Sequence, residues 1–184
     1  MSGCKKCQLS EYRNKTGGKI VWGDGNPASN ILLIGEAPGE EEAIQGKPFV
    51  GKSGQLLRSI LSEFIDLKRD LFITNTVLCR PPENRNPSLE EQQACFQHIS
   101  AIFHIIKPKL VITAGRISSD WLSRIIHKDY KIYELQEAEW DDIWFLWLPL
   151  YHPSYLLRKP SEKARFKSIL NKYSKIIEKL RTSR

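Results

Sequence analysis

No stretch of this chain stays apolar for the roughly 18 residues that a membrane-crossing helix needs, and its opening, MSGCKKCQLS, lacks the apolar centre of a secretory signal. The expectation is a cytoplasmic protein that engages no membrane. Cysteine is sparse, with four in 184 residues. In a reducing cytosol such thiols read as ligands or core residues in preference to disulfides. Internal repeats and low-complexity linkers are also missing, so one domain over residues 1 to 184 is expected, a length that buries a core unaided. Acids run short at one end: Tyr155 to Arg184 holds ten Lys and Arg against two acids, while the remainder is close to neutral. The formal charge of +7 and the pI near 9.2 therefore arise mostly in one place. Such an excess favours a polyanionic partner, with a solvated basic helix face as the plain alternative.

What is present is an alternation of short apolar runs with helical periodicities. Ile31 to Ile34 is a continuous apolar run ending at a glycine, as a buried strand is. Leu71 to Leu78, Leu110 to Thr113 and Ile143 to Leu150 read as three more strands. Apolar residues spaced by three and four predict helices over Ser53 to Ile65, Ser88 to Ile106, Arg116 to Ile126 and Ser161 to Leu180. Ser88-Leu89-Glu90-Glu91 has the spacing of a capping box, and Lys107-Pro108 stops that helix. Residues 127 to 141 fit an edge strand or a hairpin. The rhythm predicts the α/β class: a three-layer α/β/α sandwich with a central, mostly parallel four-stranded sheet. Open sheets of this kind bind ligands at the carboxyl ends of their strands. Three informative segments fall there: GEAPG after the first strand, Asn75 with Cys79-Arg80-Pro81-Pro82 around the second, and Tyr151-His152-Pro153-Ser154 after the last.

Gly46, Gly51, Lys52 and Ser53 formally match the phosphate-loop pattern G-x-x-x-x-G-K-[ST]. A working phosphate loop starts directly after a strand and points successive N–H groups at the phosphates. Here Gly46 lies about a dozen residues beyond Ile34, Pro48 removes one N–H, and Phe49 and Val50 are bulky. No aspartate ends another apolar strand to hold a metal ion. A nucleotide-binding enzyme using Gly46 to Ser53 is thus the secondary reading. The same glycines and prolines make a loop of fixed, tight turns able to hold a carboxylate and an aromatic plate around a small flat ligand.

Gly35-Glu36-Ala37-Pro38-Gly39, then Gly46-x-Pro-Phe-Val-Gly51, Thr74-Asn75 with Cys79-Arg80-Pro81-Pro82, and His152-Pro153-Ser154-Tyr155-Leu156-Leu157-Arg158 resemble, in that order, the family 4 uracil-DNA glycosylases, the iron–sulfur members of their superfamily. The resemblance runs from Cys4 to about Arg158. Cys4 and Cys7 form one half of a metal site, and Cys79 and Cys95, with 15 residues between them, the other. By residue type and spacing, four thiolates suit a [4Fe–4S] cluster or a tetrahedral zinc equally, with scattered core thiols as the third possibility. The resemblance implies the cluster. It also implies a monofunctional glycosylase that acts as a monomer on uracil-containing DNA, single- or double-stranded. A metal-stapled nucleic-acid-binding module without enzymatic activity is the non-catalytic alternative.

The roles implied follow from the chemistry. Uracil must leave the base stack and enter a pocket, where Phe49 would supply a stacking face and Asn75 would accept from N3–H while donating to O4. Cytosine would mispair both amide groups. His152 would donate to uracil O2 as the base departs as an anion. Backbone at Ala37 would help hold the base, and Glu36 and Glu42 are the candidates for ordering the attacking water and fixing the loop. Ser154, Arg158, Lys52, Ser53 and Arg80 would contact phosphates, and Tyr155, Leu156 or Leu157 would wedge into the gap. His98, His104 and His127 read as structural, and Glu40 and Glu41 as solvated. Ala43 stands where the family usually carries an acid. Ala37 stands where relatives with another motif carry a catalytic aspartate.

Overall fold

The computed structural model describes residues 3–182. Six strands, β1 (Asp24–Gly25), β2 (Ile31–Gly35), β3 (Leu71–Asn75), β4 (Leu110–Ala114), β5 (Gln136–Trp140) and β6 (Ile143–Leu150), form one sheet in the order β1-β3-β2-β4-β6-β5. The four strands legible as apolar runs are the inner, mutually parallel ones, with Ile31 opposite both Leu71 and Leu110. The sheet therefore has six strands where four are expected, because an antiparallel strand is added at each edge. At two residues, β1 is too short to leave an apolar pattern. Residues 127 to 141 resolve into an edge strand: β5 pairs with β6 across Asp141 and Asp142, both at positive φ (49° and 61°), as a tight hairpin turn requires.

Among the described residues, eight α-helices cover the sheet: α1 (Gln8–Thr16), α2 (Glu40–Gln45), α3 (Lys52–Leu61), α4 (Leu89–Ile106), α5 (Arg116–Ile126), α6 (Pro153–Arg158), α7 (Glu162–Lys172) and α8 (Ser174–Thr182). Side chains alternate across a strand, so Ile31, Leu33, Ile73 and Ile112 meet Leu57 of α3, Leu156 of α6, Phe166 of α7 and Ile177 of α8. Leu32, Ile34, Val111 and Trp147 meet Phe103 of α4 and Trp121 of α5 on the other face. Both faces are buried, which is why the inner strands read as unbroken apolar runs. The capping box is present: Ser88 Oγ accepts from the Glu91 N–H at 3.2 Å and Glu91 Oε2 from the Ser88 N–H at 2.8 Å.

The final helix, expected as one piece, is two. Tyr173 leaves helical geometry between α7 and α8, where its hydroxyl donates to the Tyr133 carbonyl and accepts from the Leu135 N–H, both at 3.3 Å. Beyond this break, Asn30 donates to the Leu180 carbonyl and Arg181 approaches buried Asp70 at 3.5 Å. Asn30 and Asp70 directly precede β2 and β3. The basic end of the chain thus packs at the amino ends of the strands, opposite the edge where β2, β3, β4 and β6 all terminate.

Candidate active site

At that carboxyl edge a cleft of ≈ 650 Å³ opens. β2 delivers Glu36 and Ala37, β3 delivers Asn75, β4 leads into Arg116, and β6 leads into His152 and Ser154, with Glu42 contributed by α2 and Phe49 by the loop between α2 and α3. Phe49, Asn75 and His152 open into one space.

Phe49 is 8% exposed and holds φ 55°, a left-handed conformation that costs a bulky residue about 1–3 kcal/mol. Arg58 of α3 clamps it: Nε donates to the Phe49 carbonyl at 3.0 Å and Nη2 to the Pro48 carbonyl at 2.9 Å, while Nη2 also pairs with Asp24 at 2.7 Å. Asn75 is 2% exposed, and its side-chain amide has no hydrogen-bond partner among the described residues. The amide lines the cleft, where its donor and acceptor are open to an incoming polar ring edge. Gly35, paired with Asn75 in register, makes the space: a Cβ there would lie 2.5 Å from Cζ of Phe49 and closer still to Oδ1 of Asn75.

His152 precedes α6. Its Nδ1 accepts from the Ser154 N–H at 3.2 Å and meets Ser154 Oγ at 2.8 Å, and Arg158 Nη1 donates to that hydroxyl at 3.3 Å. Burial, and then the charge of Arg158, pull the His152 pKa down to about 4 against the opposing pull of Glu42. The ring is accordingly neutral near pH 7. Nδ1 is an acceptor, so the proton lies on Nε2, which has no protein partner among the described residues. Gly115, at φ 105°, admits the ring: a Cβ there would fall 2.9 Å from Cβ of His152.

The two carboxylates differ. Glu42 Oε1 accepts from the Val50 and Gly51 N–H groups, both at 2.9 Å, and so fixes the loop that carries Phe49. Those N–H groups are the ones a phosphate loop would aim at its ligand. With an anion of the chain already seated there, Gly46 to Ser53 has no place for a triphosphate, and Gly46 caps α2 where a phosphate loop would follow a strand. Burial raises the pKa of Glu36, and the nearby Arg116 guanidinium opposes that rise.

Residues 22–178 match the family described as the uracil DNA glycosylase superfamily. The chain belongs to that superfamily. It is 37% identical to the type-4 uracil-DNA glycosylase of Sulfurisphaera tokodaii over 170 residues, 86% of this chain and 73% of that one. It is 39% identical to the type-4 enzyme of Saccharolobus solfataricus, over 85% of this chain and 74% of the relative. With that of Pyrobaculum aerophilum it shares 35% identity over 92% and 87%.

In this superfamily member nine of the eleven residues expected at the base or the DNA line the cleft: Glu36, Ala37, Glu42, Phe49, Ser53, Asn75, His152, Ser154 and Arg158. Lys52 is exposed outside the lining, and Arg80 pairs with Glu40 at 3.2 Å and donates to Asn84 at 2.8 Å. Leu156 is fully buried in the core and cannot act as a wedge; Leu157, 43% exposed, is the apolar side chain of that segment that faces outward. Sequence reasoning missed Arg116 and the Asn84-Arg85-Asn86 rim. The rule that strand ends bind ligands would have flagged Arg116, since it follows β4 by one turn residue. Arg85 is held by a bidentate pair with Glu91 at 2.9 and 2.6 Å, which carries the α4 cap to the mouth of the cleft.

The four cysteines, from the segment before α1, the loop after β3 and α4, line one small cavity with Leu9, Ile20, Trp22 and His98. All four are free thiols, and no three described side chains stand as a set that could hold a single ion. Burial raises the Cys79 thiol and pushes Cys95 up to about 12, so metal would have to displace protons. His98, expected to be structural, places Nε2 3.5 Å from Cys4 Sγ.

Proposed function

We propose that this protein is a monofunctional uracil-DNA glycosylase, which draws uracil out of DNA and hydrolyses its N-glycosidic bond to leave an abasic site. One observation carries the reading: an aromatic face, an unpartnered buried amide and a neutral imidazole with its free N–H meet in one cleft. Phe49 stacks on the extruded base. The Asn75 amide pairs with N3–H and O4, a pattern cytosine cannot satisfy without leaving buried groups mispaired. Nε2–H of His152 donates to O2, a bond that strengthens as the departing base gains negative charge, so it lowers the barrier more than it tightens binding.

Glu42 spends one oxygen on the loop and keeps Oε2 for a water. Glu36, offset by Arg116, adds negative charge below a sugar that becomes cationic. Neither need act as a strong base, in keeping with alanine at position 37. Among the described residues no lysine lines the cleft, so no amine is at hand to trap the sugar as a Schiff base and lead to strand cleavage. Ser53, Ser154 and Arg158, which line the cleft, contact phosphates in this reading, with Lys52 and Arg80 further out, and Leu157 is the wedge. The family resemblance favours a [4Fe–4S] cluster over zinc, and the four cysteines lining one cavity are in keeping with such a group. That group would tie the chain's start to the rim of the cleft. The reading takes the whole chain as one glycosylase domain, acting as a monomer on single- or double-stranded chromosomal DNA in the cytoplasm.

The test is incubation of purified protein with a uracil-containing oligonucleotide in EDTA without nucleotide, followed by alkali. Cleavage at the uracil position is expected, and intact DNA would overturn the proposal.

A further inference from the structure

Arg13 lies on α1, 7% exposed. Its Nη1 donates to Cys79 Sγ at 3.4 Å, and its Nη2 to the Cys4 carbonyl and Asn14 Oδ1, both at 3.1 Å. Among the described residues no carboxylate pairs with it. A guanidinium keeps its charge under all ordinary conditions. A buried ion is stable only where an opposite charge and hydrogen bonds replace the water it has lost. The groups around Arg13 supply hydrogen bonds from two neutral oxygens and one sulfur. What is missing is an anion, and of the three partners only the sulfur, as a metal-bound thiolate, would carry negative charge.

We infer that Arg13 is the built-in counter-charge of the four-cysteine site: its guanidinium is buried against Cys79 to offset the negative charge that four metal-bound thiolates bring. The inference rests on the reading of those cysteines as metal ligands and adds a residue to it. Four thiolates outweigh the charge of either a zinc ion or a [4Fe–4S] core, so the site is anionic with either metal. Without metal, the guanidinium has no metal-bound thiolate to offset it, and among the described residues no carboxylate pairs with it. The geometry adds a second task. By bridging the Cys79 sulfur and the Cys4 carbonyl, Arg13 joins the two halves of the ligand set, one before α1 and one after β3.

The two states therefore respond to the loss of Arg13 with opposite sign. The experiment uses the full chain as wild type, Arg13→Met, Arg13→Gln and Arg13→Lys, with iron, sulfide and zinc measured first. Metal release to excess chelator is then timed, and melting temperatures are taken with metal bound and after its removal under reducing, anaerobic conditions. Release from Arg13→Met is expected to be about tenfold faster than from wild type, as for the loss of other outer partners of metal ligands, with Arg13→Lys in between. The metal-free Arg13→Met protein is expected to melt no lower than metal-free wild type. Unchanged release would overturn the inference, and so would an equal drop in melting temperature with and without metal, which marks a merely structural residue. Should Arg13→Met fail to fold, Arg13→Lys and Arg13→Gln carry the test, and equal release from those two refutes a role for charge. A wild-type protein that takes up neither iron nor zinc defeats instead the reading of the cysteines.

Discussion

A single methyl group at position 35 should disable the cleft while leaving the sheet intact. Gly35 ends β2 with ordinary backbone angles, so alanine is tolerated there by the chain itself. Its side chain is the difficulty. Real Cβ atoms essentially never come within 3.0 Å of another heavy atom, yet the new one would stand 2.5 Å from Cζ of Phe49 and closer to Oδ1 of Asn75. The ring edge must retreat by at least about 0.5 Å and the amide by more, and about 0.5 Å is the tolerance within which a working site must be held. Neither group can yield freely, because Phe49 is clamped by Arg58 and Asn75 sits in the sheet. Gly35→Ala is expected to lower kcat/KM for uracil excision about a hundredfold, equivalent to about 2.7 kcal/mol, and to cost about 1–3 kcal/mol of stability through overpacking. Single-turnover excision from a uracil oligonucleotide, with thermal melting alongside, measures both. Gly18→Ala is the control, since its Cβ would meet only ordinary contacts near 3.6 Å. Excision by Gly35→Ala within about threefold of wild type, in a folded protein, would show that the placement of Phe49 and Asn75 does not set the rate.

Further outcomes are expected at neighbouring positions. Arg58→Met frees the Phe49 and Pro48 carbonyls and releases a strained backbone; a loss of about 2 kcal/mol in melting experiments, with at least a tenfold fall in excision, is expected, and a wild-type rate would detach the clamp from function. Asn75→Asp replaces a donor with an acceptor at O4 and should lower excision about a hundredfold; unchanged activity would remove Asn75 from base reading. His152 should stay neutral from pH 8 to near its pKa of about 4, as NMR of its ring would record, and a midpoint near 6.5 would contradict the buried, tautomer-fixed ring. Because the unfolded histidine binds its proton near pH 6.5 and the folded one only near 4, its contribution to stability is whole above 6.5 and declines as pH falls towards 4. Arg116→Met removes the charge opposing the burial of Glu36, so the acid limb of the pH–rate profile should move to higher pH, and Glu36→Gln should abolish that movement.

The inner sheet was legible because parallel strands buried on both faces leave continuous apolar runs, as at Ile31 to Ile34. The start of α4 was legible because its cap is local, made by Ser88 and Glu91. What escaped was short or tertiary in origin. Helix α2, EEEAIQ, buries only Ala43 and so carries no apolar stripe, and α1 offers little beyond Leu9. The break at Tyr173 is made by the backbone of residues 133 and 135, far along the chain. Within the cleft, strand-end position pointed to Asn75 and His152 and the surrounding glycines and prolines to Phe49, while their roles rest on the family resemblance. The contact between His98 and Cys4 spans 94 positions, a separation at which one sequence gives no signal. Glu36 and Glu42 were indistinguishable as letters, and only the turn that brings two N–H groups onto Glu42 separates them.

The seat occupied by Glu42 has a practical consequence. A loop completed by its own tethered anion needs no solute to finish it, so inorganic phosphate, sulfate or free nucleotide meets a closed door at Val50 and Gly51. Buffer composition should therefore leave the shape of the aromatic wall untouched, and competition by such ions should be felt only along the Ser154–Arg158 flank, where the polymer's own backbone would lie.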